Sequence, residues 1–272
     1  MENKIIQDYK NGMSGCKLAE KYEMKTHQIY YILKKNGVQS RSNKENSKKY
    51  KHDEDFFEVI NTEAKAYWLG FIYADGYISI AKTGQKVFGV SLSITDKEHL
   101  EQFKKDIKAT NPINEYNSTG YGNGNTYCRI TITSEKTVND LIDKGVVEHK
   151  SNVLTFPTEE QVPKHLIHHF IRGYFDGDGC ITSYKVSGYD RYKTSFIGTY
   201  NFLQSINDII NNKYNIYIPT LHKRKAEHEV YSLEYSSCKR SKILYEYMYN
   251  EATIYLNRKH KKYSRLMKKN NS

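Results

Sequence analysis

The sequence predicts an α+β fold, with two pseudo-symmetric αββαββα units packed through a pair of repeated helices and preceded by a small all-α helix-turn-helix domain. Three observations predict it. An apolar, helix-like stretch occurs twice, as WLGFIYADG at residues 68–76 and IRGYFDGDG at residues 171–179. Downstream of the two copies the chain stays in register at one offset, the 103 positions that separate Asp75 from Asp178. Residues 2–37 carry a different pattern, three short helical periods closed by glycine-marked turns.

Composition limits the function classes. The 272 residues suffice for one large core or two to three small domains. Lys plus Arg number 42 against 31 acids, a net charge of +11, which favours a polyanionic partner such as nucleic acid. No apolar run reaches the length of a membrane span and the N-terminus lacks a signal-peptide pattern, so a cytoplasmic, DNA-associated protein without a membrane partner is expected. Cys16, Cys128, Cys180 and Cys238 are far apart and form no Cys-x-x-Cys pair, the pattern of reduced thiols. His165, His168 and His169 cluster without a third well-spaced ligand and read as ordinary helix residues.

Taken in order, residues 2–11 form an amphipathic helix with Ile5, Ile6 and Tyr9 inward, stopped at Gly12. Ser14 is the expected N-cap of a second helix running to Tyr22, and Thr26 of a third whose Ile29, Ile32 and Leu33 recur at helical spacing. In a helix-turn-helix the third helix enters the major groove, and Lys25, Thr26, His27, Gln28 and Tyr31 lie on its exposed N-terminal surface. Residues 38–52 are polar and basic, suited to tracking phosphates through Arg41 or to serving as a tether. The expected boundaries are a helix-turn-helix domain at 1–45, a basic linker at 46–58 and the two units at 59–160 and 161–272.

Each unit begins with its motif. Small residues recur four apart, Gly70 and Ala74 in one copy, Gly173 and Gly177 in the other, and positions i and i+4 share a helix face. Such a face lets two backbones approach closely. Each motif ends in an aspartate at the last helical turn, followed by a glycine suited to a left-handed helix end. Carboxylates at helix C-termini are disfavoured by the helix dipole, and two side by side repel. A divalent cation with oxygen ligands would offset this.

After the first motif, strand character at 78–80 and 87–95 gives way to a helix at 96–108, two strands around the 120–125 turn, the second at 127–133, and a helix near 137–144. The second unit repeats the order, with strands at 181–186 and 193–198, a helix at 201–214, strands around 222–229 and a helix from about 241. Leu100 aligns with Leu203, Phe103 with Ile206, Ile107 with Ile210, Ser134 with Ser237 and Leu141 with Leu244, which marks an internal duplication.

The paired motif resembles that of the LAGLIDADG homing endonucleases, over about residues 60–265. It departs at Tyr73, where the family often has an acid, and at Gly177, where it usually has alanine. The resemblance implies a monomeric, site-specific double-strand DNA endonuclease that uses Mg²⁺ (or Mn²⁺) and leaves short 3′ overhangs. It implies catalytic and metal-binding roles for Asp75 and Asp178, metal contacts from the carbonyls of Ala74 and Gly177, and helix packing through Gly70 and Gly173. A basic residue near the end of each unit is implied to assist: Lys150 in the first, and Lys259 in the second, with Arg258 and Lys262 as rivals. Base reading would fall to strands and hairpins laid as a saddle over double-stranded DNA. The candidates are Lys82, Gln85, Lys86, Asn123, Asn125 and Arg129, then Lys185, Arg191, Lys193, His222, Lys223, Arg224 and Lys225. Related proteins also act as RNA maturases or as non-catalytic DNA-binding transcription regulators. Retention of both aspartates and a helix-turn-helix suited to duplex DNA count against these alternatives.

Overall fold

Three helices open the chain. In the computed structural model, which describes residues 1–40, 50–118, 124–148, 150–216, 219–225 and 228–269, they are α1 (Glu2–Lys10), α2 (Gly15–Lys21) and α3 (Thr26–Lys35). They belong to a compact unit at 1–51, with Ile5, Tyr9, Leu18, Ile29, Ile32 and Leu33 as its core. Ser14 caps α2 by accepting the Lys17 N–H. Thr26 is the first residue of α3 rather than its cap; the flanking residue is Lys25, whose N–H is received by the Gln28 side chain at 2.9 Å. Arg41 lies outside the described residues.

Residues 52–272 form the second compact unit, which contains both repeats. The first repeat comprises α4 (Glu63–Asp75), β1 (Gly76–Ile80), β2 (Lys86–Ser93), α5 (Lys97–Asp106), β3 (Ile113–Asn117), β4 (Thr126–Thr133) and α6 (Glu135–Asp143). The second comprises α7 (Ile167–Asp178), β5 (Cys180–Val186), β6 (Tyr189–Gly198), α8 (Tyr200–Tyr214), β7 (Leu221–Lys225), β8 (His228–Tyr235) and α9 (Cys238–Tyr249). A further helix, α10 (Asn257–Lys269), follows. Both sheets are antiparallel with the same strand order, β1-β2-β4-β3 and β5-β6-β8-β7. The duplication extends to capping: Ser134 and Ser237 each accept the N–H three residues on, from Thr137 and Arg240, to start α6 and α9. Alternation along the strands sends Phe88, Val90, Ile130 and Ile132 of one sheet, and Ile181, Phe196 and Leu233 of the other, into one core.

That core is organised by α4 and α7. Thr62 caps α4 by accepting the Lys65 N–H, and every residue from Ala66 to Tyr73 is buried, the pattern of a helix enclosed on all sides. A Cβ added at Gly70 would overlap the Phe170 carbonyl, and one at Gly173 would overlap the carbonyl of Tyr67 and crowd the Phe71 amide. The helices therefore cross with backbone against backbone. Gly76 and Gly179, which end them, are extended (φ −80° and −78°) and not left-handed. Their requirement is space: a Cβ would strike Ile72 in one case and Phe175 in the other.

Alanine on an open helix face is favoured over glycine by about 1 kcal/mol. At this crossing the steric term reverses the sign. Gly70→Ala and Gly173→Ala are each expected to lower stability by about 1–3 kcal/mol, read as a fall in the urea midpoint of unfolding.

Candidate active site

The crossing brings the C-terminal ends of α4 and α7 together, and with them Asp75 and Asp178. A Cβ on Gly177 would overlap the Ala74 methyl and lie 3.2 Å from Asp75 Oδ2, so the absence of a side chain lets the two helix ends close on each other. Asp75 is half-buried and Asp178 is exposed at the rim. Burial, then the charge of Asp178, raises the Asp75 carboxyl to about 6, against the pull of Lys259 and Lys150. Asp178 is also raised, because protein crowds it on its inner side, while the two lysines oppose the shift.

Two ammonium groups offset the negative ends of the helices. Lys259 Nζ donates to the carbonyls of Phe175 (2.8 Å), Gly177 (2.8 Å) and Gly179 (2.5 Å), the last turn of α7. Lys150, in a short 3₁₀ turn at Lys150–Asn152, donates to the Gly76 carbonyl at the end of α4. Gly76 and Gly179 are repeat-equivalent, so the lysines are equivalent in space although the chain reaches them over 75 residues from Asp75 and 81 from Asp178. Burial depresses both amines, Lys150 to about 8, with the aspartates acting in the opposite sense.

The rivals for the second position are elsewhere. Arg258 makes a bidentate ion pair with the buried Asp96, its Nη2 2.8 Å from Oδ2, and so clamps α10 to the first repeat. Thr199, the repeat equivalent of Asp96, donates from its hydroxyl to the Leu154 carbonyl at 2.6 Å. Lys262 is exposed.

Several groups around the site were not singled out from sequence. Arg172, fully buried, donates to Glu63 (2.6 Å) and to the carbonyls of Met248 and Ile254. Glu63 also accepts from the Thr253 amide and hydroxyl. Asp176 accepts from the hydroxyls of Tyr67 and Tyr249 and from the Leu256 amide. The available signal was an Arg and a second Asp inside an otherwise apolar motif, since such groups in a core require partners. His169 bonds to Arg172, and no cluster of three or more His, Cys, Asp or Glu suited to a metal occurs among the described residues. None of the four cysteines is in a disulfide among the described residues.

The sheet faces turned away from the core sort the remaining candidates. Arg129 is exposed on the first sheet, its guanidinium 4.7 Å from the Tyr116 ring centroid and bonded to that hydroxyl. Lys82 and Gln85 are exposed in the β1–β2 turn, and Asn125 at the base of the β3–β4 hairpin. On the second sheet, alternation places Arg191, Lys193 and His222 on the outward face, with Lys193 paired to Glu234 at 3.2 Å, while Arg224 is exposed at a register shift in the β7–β8 pairing. Three lysines do not join these faces. Lys86 shares the core side with Phe88 and bonds to Asn139 of α6; Lys223 shares it with Leu221 and pairs with Glu229; Lys185 falls on the side of Ile181. A strand's period of two decides this, so clustering in sequence does not. The backbone of Lys225 continues β7, and Asn123 lies outside the described residues. In the N-terminal unit, Lys25, His27, Gln28 and Tyr31 are exposed and Thr26 is half-buried.

The raised Asp75 carboxyl links stability to pH. The folded state holds this proton more tightly than the unfolded chain, so the cost of ionisation is absent below about pH 4, grows as pH rises and is complete once pH has passed through about 6. In buffer containing a chelator, Asp75→Asn is expected to raise stability by about 1–2 kcal/mol at pH 7.5 and to leave it unchanged near pH 3.5, measured by thermal unfolding at the two pH values.

Residues 62–144 match the family model of a LAGLIDADG-like domain. No curated protein sequence matches the chain. Among solved structures, the LAGLIDADG meganuclease I-AabMI bound to uncleaved DNA is similar over 75% of this chain and 89% of its own, with 14% identity and a TM-score of 0.52. The LAGLIDADG homing endonuclease I-GzeII in complex with its DNA target is similar over 77% and 89%, with 15% identity and a TM-score of 0.51. The I-LtrWI LAGLIDADG homing endonuclease bound to target DNA is similar over 78% and 89%, with 14% identity and a TM-score of 0.50. The chain therefore contains a LAGLIDADG-like domain at residues 62–144, and its two-sheet body has the fold of the LAGLIDADG homing endonucleases.

Proposed function

We propose that the protein is a monomeric, site-specific endonuclease that hydrolyses a phosphodiester bond in each strand of duplex DNA and leaves short 3′ overhangs. One observation carries this reading: two carboxylates meet at the paired helix ends, each end bearing its own lysine, Lys259 buried and Lys150 half-buried. A charge of +11 and two sheets with polar outward faces are in keeping with a polyanionic duplex. Arg129, Arg191, Lys193, His222 and Arg224 are the proposed groove contacts, with Lys82, Gln85 and Asn125 at the hairpins.

The donor set suits a hard cation. Asp75 and Asp178 supply two carboxylates and Ala74 and Gly177 two nearby carbonyls, the last also receiving Lys259. Mg²⁺ is commonly held by one or two carboxylates, with water and phosphate oxygens completing its shell. Bound there, Mg²⁺ or Mn²⁺ would supply Lewis acidity toward a water and the scissile phosphate. The chain's own groups do the rest. The aspartates would hold the cation and orient the water beside it, and a bound cation would relieve their mutual repulsion. Lys150, depressed to about 8, can take a proton from the attacking water or hold one against charge developing on the phosphate oxygens. Lys259 is equivalently placed for the other strand.

The N-terminal helices, read as a helix-turn-helix, would present Lys25, Thr26, His27, Gln28 and Tyr31 to a major groove and add affinity through effective concentration.

The deciding experiment offers the DNA flanking the native gene, rejoined without the insertion, to wild type and to Asp75→Asn/Asp178→Asn. Double-strand cutting in Mg²⁺, abolished by EDTA and by the double substitution, is expected. Tight binding without cutting would favour a regulator, and RNA binding with rescue of splicing a maturase. Deleting residues 1–45 is expected to raise the protein concentration for half-maximal cutting about 10–100-fold while the rate at saturation stays within about twofold of wild type, measured by titrating enzyme against labelled duplex.

A further inference from the structure

We infer that Tyr73 and Asp176, which occupy the same position of the two motif copies, are positioning residues, each fixing the chain segment that delivers its own unit's lysine to the helix end. Both side chains are 1% exposed, and each leaves its motif helix to reach a backbone group just before that lysine. Tyr73 donates to the Lys144 carbonyl at 2.5 Å, six residues before Lys150. Gly145, at φ +93°, lies directly beneath that hydroxyl, where a Cβ would overlap it. Asp176 accepts the Leu256 amide at 2.8 Å, three residues before Lys259 and immediately ahead of α10.

The two bonds have opposite polarity. In one unit a side-chain donor grips a carbonyl; in the other a side-chain acceptor grips an amide. Apolar packing alone would not call for either group here. A carboxylate in a core is costly unless its lone pairs are filled. Asp176 is filled by three donors: the Leu256 amide, the Tyr249 hydroxyl at 2.5 Å and the Tyr67 hydroxyl at 2.8 Å. Tyr67 belongs to the other motif helix, so the strut also registers the helix pair. Glu63 reinforces it, accepting from the amides of Thr253 and Ile254 at 2.8 and 3.2 Å. Lys259 therefore arrives at its three carbonyls on a segment anchored at both of its turns.

The catalytic consequence rests on the endonuclease reading, whereas the control of the amines does not, and the test separates the two. Full-length wild type, Asp176→Asn, Tyr249→Phe and Tyr73→Phe are pulsed with acetic anhydride at pH 8, without DNA or metal. Acetylation of Lys259, Lys150 and Lys86 is then read by peptide mass spectrometry, with Lys86, bonded to Asn139, reporting general loosening. Loss of one anchoring hydrogen bond is expected to raise acetylation of Lys259 about fivefold in Asp176→Asn and Tyr249→Phe, and of Lys150 alone in Tyr73→Phe, with the other lysines within about twofold of wild type. Tyr249→Phe leaves the carboxylate in place, so its effect reports the tether rather than the local field. A uniform rise at all three lysines, no rise, or a rise at Lys259 in Asp176→Asn alone would each overturn the assignment. On strand-labelled target DNA, Tyr73→Phe and Asp176→Asn are expected to slow opposite strands, and equal slowing of both would count against it. Should wild type cut no DNA, the endonuclease reading fails and the acetylation result stands by itself.

Discussion

Where α4 and α7 cross there is no room for a side chain, and the rest of the body depends on this. Gly70 rests on the Phe170 carbonyl and Gly173 on the backbone of Tyr67 and Phe71. Because the backbones touch, the helix ends converge and two aspartates share one small region. The crossing also determines what must surround it. Aromatic residues that cannot enter the seam pack around it, as Trp68 does with its ring centroid 4.7 Å from that of His99 and 4.9 Å from that of Phe103.

Convergence creates an electrostatic debt that the fold meets with lysine. Each helix end presents unsatisfied carbonyls as well as a carboxylate, so a cation there is favoured by both. Lys259 answers three carbonyls at once, whereas Lys150 is bonded to that of Gly76. The two halves thus solve one problem with unequal means. Burial depresses both amines and raises both carboxyls, shifts that draw the acids and bases of the site toward neutrality.

The duplication was legible because helix ends, caps and core positions repeat at one offset, and both sheets follow from it. The carboxylates were legible because a motif fixes them locally. Less was legible where a role depends on contacts across the chain. Gly76 and Gly179 suggested a left-handed turn by their position, but extended backbone with no room for a Cβ is what they supply. Arg258 and Lys259 are adjacent in sequence, and only the turn of α10 sends one to Asp96 and the other to the helix end. Among the sheet lysines, charge was visible and facing was not, since a single step along a strand reverses it. Asp176 lies inside a motif copy, but its task appears only once Leu256 is seen beside it.

The clasp between Glu63 and Thr253 joins positions 190 residues apart, and Lys259 follows shortly after the second of them. Contacts of such long range form late in folding, because closing the intervening loop costs entropy before any contact repays it. On the ribosome the pair of helix ends lacks its second carboxylate until residue 178 has been added and its second amine until residue 259, and α4 has no complete α7 to pack against before the first of these. A chain interrupted anywhere between the two motifs therefore carries one aspartate of the pair and lacks both the second carboxylate and Lys259.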